Sequence, residues 1–212
     1  MDMSFDGKSA LSQYGLSLVS ASITPPVRKR YWVDIPGGDG AVDLYEGLGE
    51  PAYENRSLTA VFRPVGEFQQ TVERLVNNLE GHTMQITLPN DSQHYMSGCV
   101  HIPAAFAPSI SSCGEITISA TCLPWRYSKA ETVYQAPKSE NAVQHTLRNA
   151  GSRSVVPTVI VEGEAIIEIG TTSSALAAGT YQMTGLRIPG GGSISIKVSG
   201  GPVEIRYREA ML

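Results

Sequence analysis

Four histidines, His82, His94, His101 and His145, are the side chains best suited to hold a transition metal or move a proton near neutral pH. None falls in a ligand pattern. His94 and His101 are seven residues apart on a stretch that reads as a strand, which sets them on opposite faces and about 23 Å apart when extended. Asp39 and Asp43 flank a glycine turn but lack the alternating oxygen ligands of a calcium loop. Glu162, Glu164 and Glu168 are the clustered carboxylates that could form a glycosidase pair, and they read as solvent-facing residues around a hairpin. Gly190-Gly191-Gly192-Ser193 could suggest a phosphate cradle. It lies between two strands and opens no helix, so the dipole that would hold a phosphate is missing and a β-turn is the better account. There is no His-Glu-x-x-His, no P-loop and no Gly-x-Ser-x-Gly elbow. The residues point to no catalytic site, no metal and no cofactor.

Three cysteines, Cys99, Cys113 and Cys122, cannot all pair within one chain, and they read as buried thiols in a reducing compartment. A Cys113–Cys122 or Cys99–Cys113 bridge stays open. Arg28-Lys29-Arg30, followed by Tyr31 and Trp32, is too short for a nucleic-acid patch and reads either as a contact surface or as a charged strand edge.

The elements around these residues are mostly strands. Glycine and proline number 21 and 13 among 212 residues, which favours turns over helices. Strands are read at Leu16–Ser20, Val27–Ile35, Tyr53–Val65, Met84–Leu88, Tyr95–Ile102 and Gly114–Leu123. Pro36 to Gly40 reads as a tight turn. One helix stands out: Phe68, Val72, Leu75, Val76 and Leu79 fall on one stripe, and Gly81 supplies a left-handed stop. Ser128 to Glu140 is polar, carries Pro137 and reads as a domain junction. Beyond it, short runs at Val143–Leu147, Val155–Val161, Ala165–Ile169, Thr180–Met183, Ser193–Val198 and Val203–Tyr207 have the spacing of a small β-sandwich. Domains of 1–128 and 129–212 follow.

Hydrophobic residues make up 42% of the chain, which excludes general disorder. No window approaches the ~20 apolar residues of a membrane span, and the acidic start Met1-Asp2-Met3-Ser4-Phe5-Asp6 does not read as a secretory signal. The net charge is −4. Residues 1–128 hold 8 Lys/Arg and 13 Asp/Glu, giving −5, so this half would repel DNA phosphates.

The order of these segments resembles the distal tail proteins, the tail-tip hub proteins of long-tailed siphophages. The likeness rests on Phe5-Asp6-Gly7-Lys8-Ser9-Ala10 with Tyr14-Gly15-Leu16, on Ile35 to Asp43, and on Tyr53-Glu54-Asn55-Arg56. Leu75 to His82, Asp91 to Gly98 and Cys122-Leu123-Pro124-Trp125 extend it, as does the second half from Asn149 to Glu209. The resemblance implies a mainly β protein: a tail-tube-like β-sandwich with one α-helix, then a galectin-like β-sandwich. It implies a virion component at the tail tip, a hexameric ring docked on the tail tube protein above and the next hub protein below. DNA would be passing cargo only, with no membrane insertion. The inter-subunit arm would be the segment from Arg28 to Arg56, which is glycine-punctuated, rich in tyrosine and tryptophan, and read as lacking apolar alternation. Its expected interface residues are Arg28, Arg30, Tyr31, Trp32, Asp39, Tyr45, Tyr53 and Arg56. An acidic lumen in the first half would let DNA slide. The alternative function is a carbohydrate-binding module, for which the second half offers the tyrosine pair Tyr181 and Tyr207 and no tryptophan as stacking platforms.

Overall fold

A computed structural model describes residues 2–44, 51–103 and 114–212. The chain forms two compact units, Met1–Arg126 together with Leu212, and Tyr127–Met211. It is mainly β.

The first unit opens with a two-residue hairpin turn between β1 (Ser4–Phe5) and β2 (Lys8–Ser9). Asp6 and Gly7 both take positive φ, 48° and 76°, as a turn matched to strand twist requires. A short helix, α1 (Ala10–Tyr14), follows. Its N-cap Ser9 accepts the Ser12 N–H at 3.0 Å, and Gly15 ends it at φ 68°. Then come β3 (Leu16–Ile23), β4 (Trp32–Asp34), β5 (Ala41–Asp43) and β6 (Arg56–Pro64). The chain continues through α2 (Phe68–Leu79), β7 (Thr83–Thr87), β8 (His94–His101) and β9 (Ile116–Ser128). The large sheet runs in the order β2-β1-β7-β8-β9-β6-β3, while among the described residues β4 and β5 pair as strands only with each other.

One face of the large sheet makes the core. Alternation along β6 and β9 sends Leu58, Ala60, Phe62, Ile116, Ile118 and Ala120 inward, where they meet Phe5, Leu16, Ile86, Met96 and the helix residues Leu75 and Leu79. Phe5 sits edge-on to Tyr14 at 6.3 Å. The buried stripe of α2 includes Thr71, whereas Val76 is exposed. Thr71 is tolerated inside because its hydroxyl donates to the Glu67 carbonyl at 3.0 Å. Gly98 is required where β8 runs beside β9: a Cβ there would lie 2.5 Å from the Cys122 sulfur.

The opposite face of this sheet is solvent-facing and carries hydroxyls. Ser22, Thr59 and Ser119 form one cross-strand row, and Ser20, Val61 and Thr117 the next. Ser57 faces Thr121, and Ser97 and Cys99 on β8 stand opposite Gln85 and Thr83 on β7. None of these positions is charged. The Arg63–Glu115 pair, 3.4 Å apart, stands at one end of the face.

The second unit is a sandwich of two four-stranded antiparallel sheets. Its strands are β10 (Thr132–Ala136), β11 (Ser139–Arg148), β12 (Thr158–Val161), β13 (Ala165–Ile169) and β14 (Thr172–Leu176). β15 (Gly179–Gln182), β16 (Ser193–Gly200) and β17 (Val203–Tyr207) complete it, and the short β18 (Ala210–Met211) lies outside both of its sheets. The sheets have the orders β10-β17-β12-β15 and β11-β16-β13-β14. Val159, Val161, Val203 and Ile205 from one face Leu147, Ile167, Ile196 and Val198 from the other. Gly190 is there for space, since a Cβ would lie 2.4 Å from the Ser152 carbonyl oxygen. The stretch read as a junction contains β10, an edge strand with only Ala136 fully inside. His145 is buried, and its Nδ1 meets the Tyr134 hydroxyl at 3.0 Å.

Candidate functional site

The groups with catalytic potential are dispersed. His94 pairs with Asp91 at 2.6 Å and His101 with Glu80 at 2.8 Å. Asp91 also holds Arg126 at 2.9 Å. Burial pushes the Asp91 carboxyl up, but His94 and Arg126 together overcome this and hold it below its ordinary range. The Ile102 N–H, then His101, lowers Glu80. Among the described residues no three of His, Cys, Asp and Glu come together as metal ligands. An open groove of about 460 Å³ lies on the second unit, lined by Glu164, Ala165, Ile166, Ala175, Leu176, Ala177 and Gly200. No aromatic ring lines it, so it offers no platform for a sugar. Glu162 and Glu164 are exposed at a turn. Cys99, expected inside, is exposed, and Cys122 is buried, with burial raising its thiol to about 11. Cys113 lies outside the described residues.

The distinctive feature is the ribbon formed by the Arg28–Arg56 segment. At its base Arg28 bridges Tyr53, Lys29 N–H donates to the Ala52 carbonyl at 2.8 Å, and Glu54 N–H donates to the Val27 carbonyl at 2.8 Å. Further out β4 and β5 pair as Trp32–Asp43, Val33–Val42 and Asp34–Ala41. Directly opposed residues share a face, and residues two apart share it again. One face therefore carries Trp32, Asp34, Ala41 and Asp43, with the Arg30 guanidinium 5.9 Å from the Trp32 ring. The other carries Tyr31, Val33, Ile35, Val42 and Leu44. Of these, Tyr31, Ile35, Val42 and Leu44 are 60%, 52%, 47% and 48% exposed. The segment does alternate, contrary to the sequence reading. The alternation is split between two short strands by the turn at Pro36–Gly40, where Gly37 and Gly40 take φ of 81° and 76°.

The expected interface residues separate into three groups. Arg30, Tyr31, Trp32 and Asp39 are exposed on the ribbon. Arg28 and Tyr53 are half-buried at its base, where the Tyr53 ring meets the Trp125 ring edge-on at 5.5 Å. Arg56 is buried inside its own unit and donates to the Pro124 carbonyl. Its guanidinium is pulled below its ordinary pKa by burial first and by the nearby Arg126 charge second. Tyr45 lies outside the described residues. Ile35, Val42 and Leu44 were not singled out by sequence. Their signal was present as alternation on either side of a glycine turn, legible only once the register is known.

No family model matches the chain, and no curated protein matches it in sequence. A solved structure does, across 100% of this chain and 99% of its own, with a TM-score of 0.68 and 15% identity. It is the crystal structure of the SPP1 Dit (gp 19.1) protein, described as a paradigm of the hub adsorption apparatus in phages that infect Gram-positive bacteria. The two chains share a fold. The likeness to Dit extends through both units, and at 15% identity it carries the architecture rather than individual residues. Among the described residues no helix is long and apolar enough to cross a membrane.

Proposed function

We propose that this chain is a structural protein of a phage tail tip, assembling with copies of itself into a ring between the tail tube and the host-recognition hub. The reading expects six subunits, a tube protein above, a hub protein below, and DNA passing through the centre. The second unit, a galectin-like sandwich in this reading, projects outward. The observation that carries it is the arm: a two-stranded ribbon whose apolar stripe nothing in its own described chain covers. A two-stranded ribbon is marginal alone in water, and an uncovered stripe beside a completed core marks a contact surface. The full-length likeness to the Dit protein supports an architectural role.

Negative-stain microscopy and native mass measurement of the purified chain over a concentration series test it. Closed rings with a central hole are expected as concentration rises. A chain that stays monomeric at the highest soluble concentration, with the arm accessible to protease, refutes the reading.

A further inference from the structure

We infer that the free edge of β14, with the groove beside it, takes up an extended segment of another protein as an added strand. That segment carries a basic residue and, two positions later, an aliphatic one. The inference is independent of the ring.

The two sides of the second unit's sandwich are finished differently. On one side β10 and β11 are outermost, and Pro137, Lys138 and Glu140 stand where they meet. β11 also shifts register between Ser139 and Val143. Proline, charge and irregular register are the devices that keep an edge from pairing with another chain. On the other side β14 and β15 are outermost, and neither Thr172–Leu176 nor Gly179–Gln182 holds a charge or a proline. β14 is regular, pairing residue for residue with β13 from Ile169–Thr172 to Ala165–Leu176. Among the described residues no strand pairs with its other edge. Main-chain hydrogen bonds along such an edge supply affinity, and alternate side chains supply selectivity.

The side chains at this edge define the incoming segment. Every pairing in this sheet is antiparallel, so the added strand runs antiparallel to β14. Ala175 stands opposite Ile166, which is 43% exposed, and both line the groove of about 460 Å³. Because Ala175 is small, an Ile, Leu or Val placed opposite it reaches across and covers Ile166. Continuing the register by one residue sets Ala177 opposite Glu164, the charged residue of the groove. A Lys or Arg opposite Ala177, two residues before the aliphatic one, meets that carboxylate. A second hollow of about 320 Å³ takes Glu162 and Glu204 into its walls, and among the described residues no Lys or Arg lines either. Within this chain a Lys or Arg precedes Ile, Leu or Val by two at Arg56, Arg63, Arg74 and Arg153. Each of these is already held: Arg56 and Arg63 in β6, Arg74 in α2, and Arg153 by its N–H to the Ala210 carbonyl at 3.2 Å. The occupant is therefore another protein rather than a second copy.

The probes are fluorescent acetylated heptapeptides on a serine and threonine background, read by anisotropy against the full chain. They carry Lys or Glu at the second position and Ile or Asp at the fourth. The Lys/Ile peptide should bind saturably, at least tenfold more tightly than the Glu/Ile and Lys/Asp peptides. Glu164→Lys should reverse the charge preference, which a purely structural role for Glu164 would not produce. Ala175→Lys, at an exposed position outside the core, should weaken the Lys/Ile peptide at least tenfold. Amide hydrogen exchange should slow along β14 on peptide binding and stay unchanged along β10 and β11. No saturable binding of the Lys/Ile peptide up to about 1 mM overturns the inference. Equal binding of the Glu/Ile peptide, or protection on β10 or β11 instead, overturns it as well. Protection of β14 that grows with concentration of the chain alone makes a second copy the occupant, and that too overturns it.

Discussion

Placing aspartates in the arm stripe, Ile35→Asp with Val42→Asp, should abolish assembly while leaving the subunit folded. Both side chains are about half exposed in the free chain. Full burial of such a side chain is worth about 1.5–3 kcal/mol, so covering the remaining half contributes roughly 1 kcal/mol each. Losing both removes about 2 kcal/mol per interface, or roughly a thirtyfold weakening. Desolvating two carboxylates against an apolar partner adds to this. In the proposed ring the cost would fall on every interface, with one arm contributed by each subunit. Within the monomer neither residue belongs to the core, so the unfolding free energy should move by no more than about 0.5 kcal/mol. Sedimentation velocity reads the assembly, and urea unfolding followed by circular dichroism reads the fold. Rings that persist in the double variant at wild-type concentration would refute the assignment of this stripe as the contact. A large loss of subunit stability would refute the claim that the stripe is uncovered within its own chain.

Other expectations concern the scaffold. Gly98→Ala should lower stability by about 1–3 kcal/mol, because the new methyl meets the Cys122 sulfur and backbone; a midpoint within error of wild type in urea would contradict the close approach. Leu75→Ala should cost about 2–5 kcal/mol as a fully buried helix residue, against less than about 1 kcal/mol for Val76→Ala on the same helix. Cys122 keeps its proton in the folded state up to about pH 11, against an ordinary value of 9.0. Its contribution is therefore complete below pH 9.0 and is lost as pH rises toward about 11. Cys122→Ala should flatten the alkaline limb of the stability curve in that window, and an unchanged limb would remove the thiol as its cause.

The parts of the fold that were legible are those where burial is one-sided and regular. α2 declares itself through Leu75 and Leu79 at helical spacing and the left-handed Gly81, whose φ is 72°. β6 and β9 do so through strict alternation. α1 has five residues, too few for a period to show, and its signal is the Ser9 cap and Gly15 stop. β10 and β14 were missed because both are edge strands with little to bury. On the arm, tyrosine, tryptophan and arginine attracted the reading, whereas the pairing of Val33 with Val42 determines which face is apolar. Arg56 shows the converse. Its position on a strand of alternating burial sends it inward, and only the Pro124 carbonyl across the sheet explains how a guanidinium is accommodated there.

Because β4 and β5, among the described residues, pair as strands only with each other, the arm adds no strand to the sheet from which it emerges. In the proposed ring a subunit could therefore finish folding before it meets a neighbour, and joining would be a separate event governed by concentration. Maturation of such a particle would be ordered by encounter, with each chain stored as a competent monomer until a partner closes over its ribbon.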